Sequence, residues 1–392
     1  MYKLFPHQRK AADQLSNGKI LYGGVGSGKG LTALTYYKEN EAPKHIYVIT
    51  TAKKRDKLEW EAEAAMLGIG RDVSVPGNGK LVVDSWNNIG KYRDVEDCFF
   101  IFDEQRLVGY GAWVKAFLAI AKKNRWILLS ATPGDTWMDY VPVFIANGLY
   151  KNITQFKREH VVYASFVRYP KILRYLNEDL LEKYRNMLLV EMPYMKDTVR
   201  HSETIVVDFD RDLMDRVLKD RWNVYEDEPI KDVAELFRVM RRVVGEHPSR
   251  RDAIVQLLEK HPKLVIFYNF NYELEILRSL ASVTTVAEWN GHRKQSIPET
   301  DSWVYLVQYV AGAEGWNCVE TNAMVFYSLT YSYKNFEQAQ GRIDRLNSPV
   351  KDLHYYILRS NSQIENDINK NLKRKELFNE VKWASDHGYY FD

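Results

Sequence analysis

Residues 338–345 read Gln338-Ala339-Gln340-Gly341-Arg342-Ile343-Asp344-Arg345. Arg342 and Arg345 stand three residues apart, the spacing of neighbours on one face of a helix turn. A guanidinium keeps its charge at any physiological pH and forks onto phosphate oxygens, so a pair of this kind can grip a phosphoryl group during transfer. An ordinary surface helix carries the same pattern, so its meaning depends on the rest of the chain. Three other segments bear on it.

The first is Gly23-Gly24-Val25-Gly26-Ser27-Gly28-Lys29, which lies after an apolar run, Ile20-Leu21-Tyr22, and before a helical pattern from Leu31. Glycines let backbone N–H groups turn toward a phosphate, and a helix N-terminus favours the negative charge. Gly24, Gly26, Ser27 and Gly28 are thus expected to cradle phosphates, with Lys29 reaching the outer ones. A phosphate loop normally continues with Ser or Thr, whose hydroxyl holds Mg²⁺. Here that position is Gly30. Thr32 lies two residues on, points to another helix face and cannot substitute. Mg²⁺ keeps several waters, so water can take the missing ligand's place. Nucleotide binding is expected to survive and hydrolysis to slow.

The second segment is Ile101-Phe102-Asp103-Glu104, where an apolar run ends in two acids. The expected roles are Mg²⁺ coordination by Asp103 and water activation by Glu104. The third is Ser130-Ala131-Thr132-Pro133, after the apolar run Trp126 to Leu129. Small hydroxyl residues at a strand end can couple a nucleotide site to a neighbouring surface, although a polar turn before proline looks the same.

The elements that must hold these residues follow from periodicity. Strand-like runs fall at 20–22, 45–50, 81–83, 99–102 and 126–129, with helical patterns between, including 54–67. Short buried strands separated by helices imply a parallel sheet covered on both faces. Residues 151–250 are richer in charged helical pattern, as at 178–189 and 231–244, with one strand-like run at 204–209. The alternation then returns, with strands expected at 264–268, 303–307, 323–327 and 353–358, a helix at 272–280 and a charged helix from Gln363. The expected fold is α/β: two parallel-sheet domains, 1–150 and 251–392, with a mostly helical insertion at 151–250.

Composition narrows the classes. The 392 residues are 45% hydrophobic and 27% charged, as in an ordinary globular protein of more than one domain. The net charge of +3 does not single out a polyanion partner, and the basic groups (53–57, 122–125, 241–242, 250–251, 373–375) read by default as solvated faces. The 26 tyrosines read as core and surface residues before they read as a base-stacking platform. Cys98 and Cys318 form no metal-binding pair, and no apolar stretch has the length of a membrane span.

In this order the segments resemble those of superfamily 2 helicases and translocases, the Swi/Snf-type remodelling motors in particular. The resemblance covers most of the chain and implies that the two parallel-sheet domains are RecA-like. It assigns Gln8, in Leu4-Phe5-Pro6-His7-Gln8, to reading adenine. It likens Thr50-Thr51-Ala52-Lys53, with Trp60, and Asp84-Ser85-Trp86 to segments that touch a nucleic-acid backbone, so that Thr51, Lys53 and Ser85 become contacts. It adds Val265 to Tyr268 as a further motif strand. Gly312-Ala313-Glu314-Gly315-Trp316-Asn317 would supply Gly312 and Asn317 to nucleic acid and Gly315 to the nucleotide. Gln338, with Ser130 and Thr132, would couple the two sites. The departures are Gly30 and the Gln105-Arg106 that follows the acidic pair, where the family usually has Ala-His.

The resemblance implies an ATP- and Mg²⁺-dependent motor in which Lys29, Glu104, Arg342 and Arg345 serve catalysis. Its track is expected to be double-stranded DNA, with RNA an alternative because phosphate contacts do not read the sugar. Protein partners are not indicated. A chain with little beyond its motor core is expected in the cytoplasm of a bacterial or phage-infected cell. A reading of another class, prompted by Gly30, is a nucleotide-gated DNA clamp with little hydrolysis.

Overall fold

In the computed structural model the described residues are 4–391 without Val25, 71–78, Gln105, Arg106, 108–110, 194–197, 313–317 and 345–348. They form two units, residues 1–161 with 175–195 and residues 162–174 with 196–392.

The first unit is built on strands β1 (Ile20–Tyr22), β2 (Ile46–Thr50), β3 (Leu81–Ser85), β4 (Phe99–Asp103) and β5 (Arg125–Ser130). A two-stranded pair, β6 (Val161–Tyr163) with β7 (Ile172–Tyr175), lies almost wholly in the second unit and precedes β8 (Leu189–Glu191), which belongs to the first. The sheet order is β3-β2-β4-β5-β1-β8, and every pairing is parallel. Parallel strands are buried on both faces, and that is why β4 reads as an unbroken apolar run. Its side chains alternate between two cores. Phe100 and Phe102 join Trp86, Phe117 and Trp126, whereas Phe99 and Ile101 join Tyr36, Tyr37 and Val48. Each such side chain fully buried contributes about 1.5–3 kcal/mol. The strand that ends in Asp103 is therefore clamped from both sides. The buried tyrosines agree with the core reading of the aromatics.

The second unit continues with β9 (Val199–Val206), a short antiparallel pair β10 (Trp222–Asn223) and β11 (Glu228–Pro229), then β12 (Lys263–Tyr268), β13 (Thr285–Trp289), β14 (Trp303–Gln308), β15 (Ala323–Phe326) and β16 (Asp352–Arg359). Its main sheet runs β13-β14-β12-β15-β16-β9, again wholly parallel. Two six-stranded parallel sheets with helices are the expected α/β, RecA-like class.

Three expectations change in detail. Residues 151–250 hold helices Ile153–His160, Glu178–Leu188, Arg211–Lys219 and Val233–Gly245 with strands between them, they are shared between the units, and β8 and β9 within them complete the two main sheets. The helix expected over 54–67 is two, Ala52–Asp56 and Glu59–Met66, because Leu58 takes a left-handed φ of 54° that no helix continues through. The helix over Tyr333–Gln340 stops at Gly341, so Arg342 lies in the turn after it rather than on a helical face. Arg345 lies outside the described residues.

Candidate nucleotide site

Three elements of the first unit bring the site together at the C-terminal ends of parallel strands. The loop after β1 leads into helix Lys29–Asn40. Gly26 and Gly28 take left-handed φ values of 83° and 81°, which only glycine adopts at no cost. Lys29 Nζ donates to the carbonyls of Gly23 (2.6 Å) and Gly24 (2.8 Å), so its ammonium lies against the loop's own backbone. Ser27 is buried, with its hydroxyl on the Gly24 carbonyl at 2.9 Å. Gly24, Gly26, Ser27, Gly28 and Lys29 thus stand together.

Gln8 comes to the same loop. Its side chain accepts from the Phe5 N–H (2.9 Å) and donates to the Ser27 carbonyl (3.3 Å). A Cβ on Gly28 would lie 2.1 Å from Gln8 Nε2, so the glycine admits the glutamine as well as the turn.

Asp103 ends β4, 4% exposed. Its Oδ2 accepts from Thr50 Oγ1 (2.7 Å), Lys54 Nζ (2.8 Å) and Trp60 Nε1 (3.1 Å). Burial alone would raise the carboxyl's pKa; the Lys54 ammonium and the other donors outweigh it and hold it below the usual aspartate value. Lys54 shows the matching change, raised by Asp103 against the effect of burial. Trp86 fixes the strand end by donating to the Asp103 carbonyl at 2.9 Å. Glu104 follows with φ of 60°. A left-handed glutamate costs about 1–2 kcal/mol, and such strain gathers at functional positions.

Ser130 and Thr132 stand beside the loop. The Ser130 carbonyl accepts from the Gly23 N–H (3.2 Å), and its hydroxyl accepts from the Thr132 N–H (3.0 Å). Both side chains are buried. A shift at the phosphate loop therefore reaches residues 130–132 through one hydrogen bond.

These donors fit a nucleotide phosphate: a glycine loop at a helix N-terminus with a lysine held against it. The Mg²⁺ set fits in part. Asp103 is a suitable carboxylate, but Gly30 brings no ligand. Thr32 is fully buried, its hydroxyl on the Gly28 carbonyl (3.0 Å) and near Met192 Sδ (3.4 Å). It does not substitute, as its helix position implies.

No protein-family model matches the chain, and no curated protein sequence matches it. Among solved structures the chain is similar to the Sulfolobus solfataricus SWI2/SNF2 ATPase core in complex with dsDNA. The match covers 99% of this chain and 94% of that one, at 15% identity and a TM-score of 0.42. At that TM-score the likeness bears no weight for the site, which rests on the contacts above.

The expected nucleic-acid residues are more scattered. Thr51 caps helix Ala52–Asp56 by accepting from the Lys54 N–H. Lys53 lies on that helix. Ser85 is buried and accepts from Arg55, which also pairs with Asp84 at 3.2 Å. In the second unit, Gly312 is buried where a Cβ would meet Val307 Cγ1 at 2.3 Å, so packing already requires the glycine. Gly315 and Asn317 lie outside the described residues, as do Gln105 and Arg106. Gln338 lies on helix Tyr333–Gln340. The Arg342 carbonyl accepts from the Cys318 N–H at 3.1 Å. Asp344, between the two arginines, is buried and takes Arg200 Nε (2.8 Å), Arg200 Nη2 (2.6 Å) and Thr198 Oγ1 (2.9 Å), which ties this turn to the start of β9.

Two of the basic groups are partly internal. Arg250 is fully buried and Arg241 is 3% exposed, so neither belongs to a solvated face. Sequence reasoning also passes over Lys54 and Glu63. A lysine in a basic run and a glutamate in a charged helix carry no signal until tertiary packing aims them at Asp103 and Gly30. Among the described residues no helix is long and apolar enough to cross a membrane.

Proposed function

We propose that the chain is an ATP-dependent motor on nucleic acid, of the superfamily 2 Swi/Snf type, with double-stranded DNA as its track. The observation that carries this is the assembly of Lys29, Asp103, Glu104 and Ser130 at the ends of β1, β4 and β5. In this reading the loop from Gly23 to Lys29 binds the phosphates. Gln8, seated on that loop, reads the base. Asp103 holds Mg²⁺, which would neutralise charge on the phosphoryl group in flight. Glu104 orients the attacking water. Gly315 supports the nucleotide, while Arg342 and Arg345 reach the transferred phosphate when the two RecA-like domains close on it. Thr51, Lys53, Ser85, Gly312 and Asn317 contact the track, and Gln338, Ser130 and Thr132 relay between track and nucleotide. The DNA assignment is supported by the ordered motif resemblance, not by any base-reading element.

Steady-state ATP hydrolysis, alone and with linear duplex, single-stranded DNA or RNA, tests the reading. Stimulation by duplex above the other tracks supports it, and equal rates with and without every track refute it. A second reading, favoured by Gly30, is a nucleotide-gated clamp. It predicts DNA affinity that changes with ATP while hydrolysis stays negligible.

A further inference from the structure

Gly30 stands where a hydroxyl is normally supplied to the metal, and the space beside it is filled from another helix. A Cβ built on Gly30 would lie 2.1 Å from Glu63 Oε2 and 3.1 Å from that carboxyl carbon. Any other residue at 30 would push the carboxylate aside. Glu63 belongs to helix Glu59–Met66, which packs against helix Lys29–Asn40. Trp60 on the same helix donates to Asp103 Oδ2. Residues three apart share a helix face, so the face that sends an indole to Asp103 also sends a carboxylate to Gly30.

Internal contacts account for the Glu63 carboxylate only in part, through the charge of Lys54. Its Oε2 is buried and makes no hydrogen bond. Burial first, and then the charge of Asp103, push its pKa above the usual glutamate value. A buried oxygen without a donor costs stability unless something joins it. A carboxylate in place of a neutral hydroxyl adds one negative charge, and Lys54, which acts on both Glu63 and Asp103, adds one positive charge. Mg²⁺ is typically held by one or two carboxylates together with substrate phosphates.

We propose that Glu63 supplies the protein oxygen that Gly30 lacks to the nucleotide-bound Mg²⁺, and that Gly30 is the room this carboxylate needs. The metal's protein ligands would then be Asp103 and Glu63, the second brought from outside the phosphate loop. The inference rests on the nucleotide-site reading above.

The test is ADP affinity, measured with a fluorescent ADP in Mg²⁺ and in EDTA, together with Mn²⁺ binding at saturating ADP followed by electron paramagnetic resonance. The proteins are the full chain, Glu63→Ala, Glu63→Gln, and Gly30→Thr with Glu63→Ala. The unchanged chain is expected to bind ADP more tightly with Mg²⁺ than in EDTA. Both Glu63 variants should lose about ten-fold or more in Mn²⁺ affinity, keep their affinity for ADP in EDTA, and unfold without nucleotide no earlier than the unchanged chain. Gly30→Thr combined with Glu63→Ala should regain metal affinity, because the hydroxyl returns as the carboxylate leaves. Glu63 variants with unchanged Mn²⁺ affinity overturn the proposal while leaving the nucleotide site standing. So does a fall in ADP affinity in EDTA, which would make Glu63 a structural residue, or a failure of the threonine to restore binding. An unchanged chain that binds ADP without regard to Mg²⁺ also overturns it. An unchanged chain that binds no ADP in either buffer overturns the nucleotide site itself.

Discussion

Arg250→Met should cost the second unit much of its stability and leave nucleic-acid affinity of the folded protein alone. Arg250 is fully buried. It donates to the carbonyls of Val244 (2.8 Å), Leu358 (3.2 Å) and Tyr327, and to both oxygens of Glu365 at 2.6 Å. Glu365 is 1% exposed and keeps only the Ser360 donors, N–H at 2.6 Å and hydroxyl at 2.7 Å, once the arginine is gone. Removing one partner of a buried pair costs about 3–5 kcal/mol. Each carbonyl left without a donor costs about 1–3 kcal/mol. The two costs overlap, and methionine refills part of the volume, so we expect about 4–6 kcal/mol in all, against about 5–15 kcal/mol for a whole domain. The pH dependence is diagnostic. In the parent chain burial would raise the Glu365 carboxyl, but Arg250 and Ser360 hold it below the ordinary value. Its contribution is then full above the unfolded glutamate pKa of about 4.3 and is lost as pH falls through the lower folded value. Without Arg250, burial governs and the folded value rises above the unfolded one. The variant's glutamate then favours folding below about pH 4.3 and loses that contribution as pH rises. The gap between the two proteins should widen from acid to neutral pH. Urea unfolding followed by circular dichroism from pH 4 to 7.5 reads it, with Arg250→Met/Glu365→Leu as the companion that recovers most of the loss. A cost below about 1 kcal/mol, the range of an exposed ion pair, or a gap flat with pH, would refute the reasoning.

Three further outcomes follow from the first unit and the arginine turn. Glu104→Gln should lower ATP turnover by about 10²–10⁴-fold with ADP affinity retained, whereas Glu104→Gly should share that loss yet resist urea at least as well as the parent, since glycine takes φ of 60° freely. Lys54→Met should destabilise the nucleotide-free protein by about 1–2 kcal/mol, between an exposed pair and a buried one because the lysine side chain is 37% exposed; added Mg²⁺ and ADP should shrink that penalty, which denaturation with and without them measures. Arg345→Ala should abolish turnover and leave ATP binding largely intact in equilibrium titration, and loss of binding would remove it from the finger role.

Legibility in the sequence followed burial. β4, β12 and β14 are covered on both faces, so their composition is apolar throughout and periodicity finds them. β9 is a sheet edge whose residues are almost all exposed, Arg200, His201 and Glu203 among them, so only its last residues fall in the strand-like run at 204–209. β8 is three residues long, too short to show a period. The phosphate loop was readable because its chemistry is local: glycines, a lysine and a helix start within a few residues. The surroundings of Asp103 were not, because Thr50, Lys54, Trp60 and Glu63 converge from β2 and two helices that only the turn at Leu58 separates. The buried arginines were misleading for the same reason, since Leu329, Tyr327, Leu358 and Glu365, which they meet, lie far along the chain.

The position of β1 has a consequence for how the protein is made. This strand leads into the phosphate loop and pairs with β5 on one side and β8 on the other. A ribosome releases β5 early, but β8 emerges only after residues 162–174, which belong to the other unit. During synthesis the nascent loop strand therefore waits with one edge bare, a hazard for mispairing, while the chain makes a piece of the second unit first. Synthesis that stalls before residue 189 leaves a sheet that cannot close beside its own phosphate loop.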